Sequence, residues 1–491
     1  MQRLSRASLD ARFAPTQQHR AITRYTYDRD RVTAGIVHFG VGNFHRCHQA
    51  VYADKLLHRG QLDWGIVGVS LRSSNVRDRL APQDYLYTEL TLSEQTDINV
   101  IGALLHILVA PEDPEAVIEQ VADPDIKLVT VTITEKGYCL NAGELDLDHP
   151  DLVRERKSLA QPRTLYGYLA AAILRRRQIC VEQSCRAPLT VICCDNIHTG
   201  GQRIRAGVIA LLEQHDPDAL RWVEEQVRFV SSMVDRVSPT TTDALVQRVS
   251  TSLGLADEWP VAAEPFSQWV IEDNFAGFRP PFDTVGAQFS QEVVLYEQMK
   301  LRFLNAAHSA IAVIGYLDQQ PTVHEALQQP GTEQFVQDLL IDNLLQVTRV
   351  PAGENALRYI ASVMQRFHNS ALPYQVQQIN TDCSQKIQQR WFPSIDDALT
   401  VPHNTERLSL ILAIWVVYVE QALTAQALND PAAERFRVVP VEADRCAAFL
   451  DIAGAAQFDF STNPAFMAEV KAHYNRLLEA PVQSLLNQLT E

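Results

Sequence analysis

Near its N-terminus the chain reads Ala34-Gly-Ile-Val-His-Phe-Gly-Val-Gly-Asn-Phe-His-Arg46. An apolar run with β-branched residues leads into a Gly-x-Gly turn, and a helical pattern follows the turn, which is the element order of a dinucleotide-binding site. Gly40 would permit the tight turn, and Gly42 would let a pyrophosphate approach the backbone. A helix beginning near Asn43 would present free N–H groups to that anion. The usual third glycine is missing because His45 stands in its place, so a purely structural turn is the alternative.

Further apolar runs alternate with helix-length segments along the first half of the chain. Strands that are apolar throughout indicate a parallel sheet covered on both faces, and the alternation predicts a doubly wound α/β domain of the Rossmann type. The predicted strands are Ala34–Phe39, Ile66–Leu71, Ile98–Gly102, Leu128–Thr134 and Thr190–Cys194.

The second part of the chain has a different pattern. From about Tyr296 onward the apolar spacing is helical and strand runs are scarce. Pro280, Pro281 and Gly286 separate the two parts and indicate a linker. We therefore predict a Rossmann-type domain over residues 1–290 and a mostly α-helical domain over residues 291–491.

Composition excludes several classes of function. The 491 residues carry a formal net charge of −16, and an acidic chain is a poor binder of nucleic acid. The longest apolar run, Leu408–Val419, is shorter than the roughly 20 residues that a membrane span needs, so a buried core helix is expected. The eight cysteines form no CxxC pair and no Cys/His set with zinc spacing. With no apolar stretch of signal-peptide length in the first fifteen residues, we expect a cytoplasmic protein with reduced thiols and no metal.

The segment after the second predicted strand bears on the choice of cofactor. It reads Leu71-Arg-Ser-Ser-Asn-Val-Arg77 and lacks the Asp or Glu that usually binds the adenosine ribose of NAD. Asn75 is suited to hydrogen-bond a ribose hydroxyl, whereas Arg72 and Arg77 would tolerate a 2′-phosphate. Because both arginines also suit an ordinary surface, the sequence leaves NAD and NADP open.

A polar constellation opens the second part, in the segment Tyr296–His308. Around the axis of a regular helix each residue advances by about 100°. With Lys300 set at 0°, Glu297 lies at about 60°, His308 at about 80° and Asn305 at about 140°. Oxidation of an alcohol requires a base for the hydroxyl proton and donors that hold the developing alkoxide. A desolvated Lys with Asn and His beside it meets both needs without a metal. On spacing alone, a solvated helix face is the competing interpretation.

Polar residues also follow the predicted strands. Thr134 and Glu135 come after one strand, and Asp195 and Asn196 come after another, where ligands gather at the carboxyl ends of a parallel sheet. Taken singly, each of these runs is also typical of an ordinary cap or loop.

Together these residues resemble the mannitol dehydrogenase family, the polyol-specific long-chain dehydrogenases. The Lys-x4-Asn-x2-His element is specific to that family, and the matching segments run in order over most of the chain. They are Gly35–Arg46 with His48-Gln49, Thr132–Cys139, Cys194–Asn196, Met233–Arg236, Glu264–Phe275, Lys300–His308 and Asp382–Lys386.

The resemblance implies a metal-independent NAD(P)-dependent oxidoreductase whose active site lies in the cleft between the two domains. Lys300 matches the family's general base, and Asn196 and Asn305 match the pair that holds the reacting oxygen. His308 matches the residue that orients the substrate, and Glu297 matches an acid that passes the lysine's proton toward solvent. The expected cofactor contacts are Phe39, Gly40, Val41, Gly42, Asn43, Phe44, Arg72, Asn75, Thr134 and Glu135.

The branch of the family decides the substrate. Gln378 stands where mannitol dehydrogenases carry an Arg, and the run Gln378–Arg390 resembles that of fructuronate reductases, except that Cys383 replaces a glycine. Val32–Phe39 is more similar to mannitol dehydrogenases, so D-mannitol and D-fructose stay the alternative pair. A uronate carboxylate needs a cation, and Lys386 and Arg390 are the candidates, with Asp235 and Gln378 as further substrate contacts.

Two further expectations follow from the resemblance and the pattern. Retention of Lys300, Asn196, Asn305 and His308 argues against a catalytically dead nucleotide-binding protein. We expect a monomer or a weak oligomer, because no exposed heptad repeat is present, and small molecules as the partners.

Overall fold

The computed structural model describes residues 1–13, 22–93, 96–141, 143–401 and 404–490. The chain divides into two units, residues 1–294 and residues 295–491. Each unit is described by itself.

Six parallel strands form the central sheet of the first unit. Across the sheet they are Val227–Val230, Leu189–Cys193, Leu128–Val131, Ala34–Phe39, Gly65–Ser70 and Leu104–Val109. Numbered along the chain, these six strands have the order 6-5-4-1-2-3, which is that of a doubly wound dinucleotide-binding fold. The order reverses between Ala34–Phe39 and Leu128–Val131. In this class of fold, that switch point is where ligands bind.

Both faces of the central sheet are buried, which explains its continuously apolar strands. Val37, Val129 and Val191 pack in one core cluster with the helix Leu165–Gln183. Ile36, Leu128 and Ile192 pack on the other face. The helices of the first unit are Arg6–Arg12, Asn43–Cys47, Gln49–His58, Asn75–Leu80, Pro114–Ala122, Pro150–Glu155, Leu165–Gln183, Gly200–His215, Ala219–Gln226 and Asp243–Leu253.

One predicted strand lies in a different sheet. Asp97–Ile101 forms, but it pairs antiparallel with Tyr87–Thr91 in a four-stranded sheet completed by Ile22–Thr23 and Val261–Ala263. The third strand of the central sheet is instead Leu104–Val109, which follows after a short connection. The polar residues of Asp97–Ile101 explain why this strand is not part of the central sheet. Asp97 is exposed and Asn99 is half-buried, whereas a strand covered on both faces would not place polar residues there.

Three shorter features were not predicted. Leu128–Val131 ends three residues earlier than the apolar run indicated, and Thr132 N makes a last hydrogen bond to the Phe39 carbonyl oxygen at 2.8 Å. A three-stranded sheet contains Ser232–Asp235, Gln268–Glu272 and Gln288–Ser290, and a small hairpin contains Leu140–Asn141 and Glu144–Leu145.

The second unit is helical, and residues 295–401 and 404–490 contain no strand. Glu406–Thr424 is long and apolar enough to cross a membrane by length and composition, but Leu408–Val419 are all buried and the helix packs against Pro464–Glu479. The first helix, Val293–Lys300, begins at the end of the first unit and continues into the second. The other α-helices of the second unit are Ala306–Leu317, Val323–Leu327, Thr332–Asp338, Ala356–Phe367, Val376–Ile379, Cys383–Arg390, Phe392–Leu399, Glu406–Thr424, Ala433–Arg437, Arg445–Ile452, Pro464–Glu479 and Val482–Thr490. The predicted fold class, a Rossmann-type domain followed by a mostly helical domain, is confirmed.

Candidate active site

The glycine turn, Gly40–Gly42, lies at the switch point of the central sheet. Gly40 has φ +96°, and a Cβ there would lie 1.9 Å from the carbonyl oxygen of Thr132. Gly42 has an ordinary φ of −87°, and a Cβ there would meet nothing closer than the Gly40 carbonyl oxygen at 4.0 Å. The two glycines therefore differ in purpose: Gly40 is required by the turn itself, whereas Gly42 leaves open space over the backbone.

The helix after the turn is interrupted after five residues. Asn43–Cys47 ends at His48, whose φ of −124° and ψ of −88° interrupt the helix, and Gln49–His58 then begins. The side chain of Asn43 is engaged inside the unit, because it donates to Thr241 Oγ1 at 3.1 Å and accepts from Arg46 Nη2 at 2.8 Å. Gly42 N donates to the Gly40 carbonyl oxygen at 2.7 Å, so a ligand at this turn would meet the backbone N–H groups of Asn43 and Phe44 rather than the end of one long helix.

His45 occupies the place of the missing third glycine. Its ring is fully buried and stacks on the ring of His38, with centroids 3.4 Å apart and planes 15° from parallel. His38 in turn contacts Thr130 Oγ1 at 2.7 Å, Thr132 Oγ1 at 2.9 Å and the Gly40 carbonyl oxygen at 3.1 Å. Burial lowers the pKa of His38 to about 3 and also lowers that of His45, so both rings are neutral. The pair supports the glycine turn through the contact of His38 with the Gly40 carbonyl oxygen.

The segment predicted to meet the adenosine ribose is exposed. Asn75 begins the helix Asn75–Leu80 and accepts a hydrogen bond from Arg79 Nε at 3.2 Å. Arg77 forms ion pairs with Asp78 and Glu112. Arg72 forms no ion pair with any residue that the structure describes, so it is the available guanidinium of this segment.

Two more predicted residues lie at the same edge of the central sheet. Val131 pairs with Cys193 in register, and Thr134 and Asn196 each follow three residues later, both exposed. Between them the carboxylate of Asp195 accepts hydrogen bonds from the backbone N–H groups of Ile133 (2.8 Å) and Thr134 (3.1 Å) and from Tyr138 Oη (2.7 Å). From the sequence, Asp195 was only one of several polar residues at the ends of strands. Its position directly before Asn196 was the available signal.

The helix that carries Lys300 contains a π-helical turn that the sequence did not predict. Val293–Lys300 is α-helical, Leu301–Asn305 is π-helical, and Ala306–Leu317 is α-helical again, with Ala306 N donating to Leu301 O. A π turn takes in one residue more than an α turn, so positions beyond it are turned back by about 100°. Asn305 then lies at about 40° and His308 at about −20° from Lys300.

This turn tightens the predicted constellation. With Glu297 still at about 60°, the four polar side chains share an arc of about 80° instead of the about 140° expected from a regular helix. Lys300 is 6% exposed and His308 is 8% exposed, whereas Asn305 and Glu297 are half-buried. The rings of Phe367 and Tyr374 lie 4.6 Å and 5.2 Å from that of His308 and fix its orientation.

Lys386 and Arg390 lie on one helix, Cys383–Arg390, and both are partly buried. Lys386 Nζ donates to the Ile379 carbonyl oxygen at 2.8 Å. Arg390 Nη1 donates to the Asn305 carbonyl oxygen at 3.2 Å and to Ser309 Oγ at 2.8 Å. Burial, and next the neighbouring Arg390, lower the pKa of Lys386 to about 8, and burial lowers that of Arg390 to about 10.

The two remaining substrate candidates differ in burial. Gln378 is exposed on the short helix Val376–Ile379, while Asp235 is 3% exposed at the end of Ser232–Asp235. The neighbouring Arg236, which sequence reasoning left uninterpreted, forms a buried ion pair with Glu89 at 2.7 Å and donates to the Glu264 carbonyl oxygen. In the described ranges no group of three or more His, Cys, Asp or Glu side chains is arranged to hold a metal ion.

Comparison with known proteins gives the same two-part organisation. Residues 34–284 match the mannitol dehydrogenase Rossmann domain, and residues 292–478 match the mannitol dehydrogenase C-terminal domain. Mannitol 2-dehydrogenase of Phaeosphaeria nodorum is 36% identical over 96% of this chain and 84% of its own length. D-mannonate oxidoreductase of Escherichia coli is 35% identical over 93% of this chain and 96% of its own.

A solved structure extends the likeness to three dimensions. The ternary complex of Pseudomonas fluorescens mannitol 2-dehydrogenase with NAD and D-mannitol covers 99% of this chain and 99% of its own, with a TM-score of 0.83 and 31% identity. Both domain families and these relatives cover nearly the whole length. The chain belongs to the mannitol dehydrogenase family of oxidoreductases.

Proposed function

We propose that this protein is an NAD-dependent reductase that interconverts D-fructuronate and D-mannonate by hydride transfer at C2 of fructuronate, which is C5 of mannonate. The observation that carries the choice of substrate is the pair Lys386 and Arg390, two desolvated cations on one helix face. Neither forms an ion pair with a carboxylate of any residue that the structure describes. Buried cations ordinarily have an anionic partner, and a uronate carboxylate would supply it.

Arg390 has donors left for such an anion. Nη1 is engaged by Asn305 and Ser309, but Nε and Nη2 have no hydrogen-bond partner among the described residues. Arg390 can therefore hold the segment Asn305–Ser309 in place through one nitrogen. Its other two nitrogens are then able to bind a carboxylate in the bidentate geometry that suits a guanidinium.

The glycine turn fits a dinucleotide. Gly40 holds a turn that no side chain would allow, and the open space over Gly42 lets a pyrophosphate reach the backbone N–H groups of Asn43 and Phe44. Thr134 and Glu135 lie across the same switch point. When bound, NAD supplies the nicotinamide that accepts or returns the hydride.

The chain's own residues handle the proton and the oxygen. In the oxidative direction Lys300 takes the proton of the mannonate C5 hydroxyl, which becomes the C2 carbonyl of fructuronate, and the amides of Asn305 and Asn196 donate hydrogen bonds to the oxygen as negative charge develops. His308, held between Phe367 and Tyr374, donates to the substrate and orients it. Glu297 shares the arc of Lys300 and passes the proton on toward solvent.

D-Mannitol and D-fructose form the second candidate pair. Relatives named mannitol 2-dehydrogenase and D-mannonate oxidoreductase stand at 36% and 35% identity, so overall similarity favours neither substrate. The structural neighbour with 31% identity holds D-mannitol, which supports the neutral polyol. The unpaired cations favour the uronate.

The test compares fructuronate and fructose in the same variants. Lys386→Ala and Arg390→Ala should each lower kcat/KM for fructuronate by roughly 30-fold or more, because truncating one partner of a buried charged pair costs about 2–5 kcal/mol. The kcat/KM for fructose should fall by less, since fructose has no carboxylate that the substitution would leave without a partner. Ser309→Ala is the matched control: it removes the hydroxyl partner of Arg390 and keeps both charges.

Two outcomes would move the assignment. Equal losses of kcat/KM on both substrates would mean that these cations bind substrate hydroxyls or stabilise the fold. The assignment as a mannitol dehydrogenase would then be favoured. Losses in Ser309→Ala as large as those in Arg390→Ala would mean that Arg390 acts only by bracing the helix.

We propose NAD rather than NADP, with Asn75 at the ribose hydroxyls. Asn75→Asp should lower the ratio of NADP to NAD efficiency further, because a carboxylate repels a 2′-phosphate and binds ribose hydroxyls. An unchanged ratio would place residue 75 away from the ribose.

A further inference from the structure

The carboxylate of Asp195 joins two neighbouring strands beyond the point where their ladder ends. The last backbone bond between them runs from Cys194 N to Val131 O at 2.9 Å. One residue later, the side chain of Asp195 replaces the backbone bonds between the two segments. Its two oxygens accept hydrogen bonds from Ile133 N (2.8 Å), Thr134 N (3.1 Å) and Tyr138 Oη (2.7 Å). Three donors on one half-buried carboxylate therefore link the two segments at this edge.

Thr134 lies in a conformation that it would not adopt alone. Its φ of 64° and ψ of 161° fall in a region that is almost exclusive to glycine, and threonine is β-branched. Such strain persists only where surrounding contacts impose it. Of the contacts to Thr134, the bond from its N–H to Asp195 Oδ1 is the one that pins this backbone from the neighbouring strand.

The turn that follows Thr134 is tied to the same carboxylate. Gly137 N donates to Thr134 O at 2.9 Å within the turn Glu135–Tyr138. The buried Tyr138 ends that turn and bonds Asp195 through its hydroxyl, and Tyr166 Oη donates to the Tyr138 carbonyl oxygen at 2.9 Å. Asp195 therefore holds both ends of the segment that contains Thr134 and Glu135.

We propose that Asp195 is a positioning residue, which holds Thr134 in its strained backbone conformation and so sets the segment 134–138 and the adjacent Asn196 in the geometry that hydride transfer needs. The inference rests on the proposed function in assigning Thr134 and Glu135 to the cofactor and Asn196 to the reacting oxygen. Asp195 touches neither group itself and acts through its neighbours.

The ionised carboxylate is the form that does this. Burial raises the pKa of Asp195, and the three donors oppose that rise by stabilising the anion. A neutral amide of the same size cannot replace it, because the NH₂ group of Asn would face a backbone N–H and one donor would be left without an acceptor.

The experiment combines Asp195→Asn with Thr134→Gly. Asp195→Asn should weaken NADH binding and lower kcat, each by about tenfold or more, with the KM for the sugar nearly unchanged. Tyr138→Phe removes one of the three donors and should have a smaller effect. Because glycine adopts the backbone of residue 134 without strain, adding Thr134→Gly to Asp195→Asn should recover at least part of the NADH affinity and of kcat.

The double variant decides the proposal. If Thr134→Gly changes the Asp195→Asn enzyme by the same factor as it changes the unmodified enzyme, the two residues act independently and the positioning role is wrong. A fall in thermal stability without a change in NADH affinity or kcat would likewise assign Asp195 to the fold alone. NADH affinity is measured by fluorescence without any sugar, so a wrong substrate assignment leaves this result intact and shows only in the turnover assays.

Discussion

Single residues at the glycine turn show what a sequence can and cannot specify. Gly40 and Gly42 were identified from their spacing, because the order of strand, turn and helix is local. The role of His45 was not, since its stacking on His38 joins a helix to a strand seven residues earlier. A missing third glycine therefore indicated an incomplete motif, whereas the fold fills that place with a buried neutral ring.

The two glycines should respond differently to alanine. Gly42→Ala adds a methyl group into open space, so thermal stability should stay unchanged while NADH binding weakens by about tenfold. Gly40→Ala places a Cβ 1.9 Å from a carbonyl oxygen and should lower thermal stability as well. Calorimetry and a fluorescence titration with NADH check both. Wild-type affinity in Gly42→Ala would mean that no pyrophosphate approaches that backbone.

Lys386 gives the proposed carboxylate site a pH dependence. Since its pKa is lowered to about 8, the ammonium is lost as the pH rises through that value. The KM for fructuronate should therefore rise above pH 8 relative to that for fructose, and taking the ratio cancels the titration of groups common to both reactions. Lys386→Arg, which keeps its charge, should move the break to higher pH. A ratio that stays flat from pH 7 to pH 9.5 would contradict the assignment.

At the scale of elements, local patterns predicted individual strands and the helical character of the second unit, but not the irregularities of the helices or the partners of the strands. The π turn Leu301–Asn305 has the composition of an α-helix, and within it Arg302 contacts Val347 and Asp397, distant partners that no local pattern specifies. Polar spacing consequently placed the four predicted residues at the wrong angles. Asp97–Ile101 was likewise a real strand whose sheet partner lies in a hairpin, and no local pattern specifies that partner.

The helix pair Glu406–Thr424 and Pro464–Glu479 offers a stability test. Leu412 is fully buried, so Leu412→Ala should lower the free energy of unfolding by about 2–5 kcal/mol. Leu478, 58% exposed near the end of the partner helix, supplies the same substitution without burial, and Leu478→Ala should change it by less than about 0.5 kcal/mol. Urea unfolding measures both. Equal effects would mean that Glu406–Thr424 is not a core helix.

For the molecule as a whole, the two-part architecture was predictable because the change from strand runs to helical spacing is visible along the chain. The strand order 6-5-4-1-2-3 was not, since it depends on contacts between distant segments. That order is what brings the turn after Ala34–Phe39 beside the segment after Leu128–Val131. The cofactor candidates therefore gather in the first unit, whereas Lys300, Asn305 and His308 belong to the second.

This division predicts the behaviour of residues 1–294 alone. The unit has its own buried clusters on both faces of the central sheet, so we expect it to unfold cooperatively and to bind NADH with an affinity close to that of the whole chain. It should turn over no sugar, because the proposed base is absent. Circular dichroism, a fluorescence titration and a turnover assay measure the three properties. Gly42→Ala in the same fragment is the control and should weaken binding as in the full chain. A fragment that unfolds cooperatively yet does not bind NADH would show that the glycine turn and its neighbours are insufficient for the cofactor.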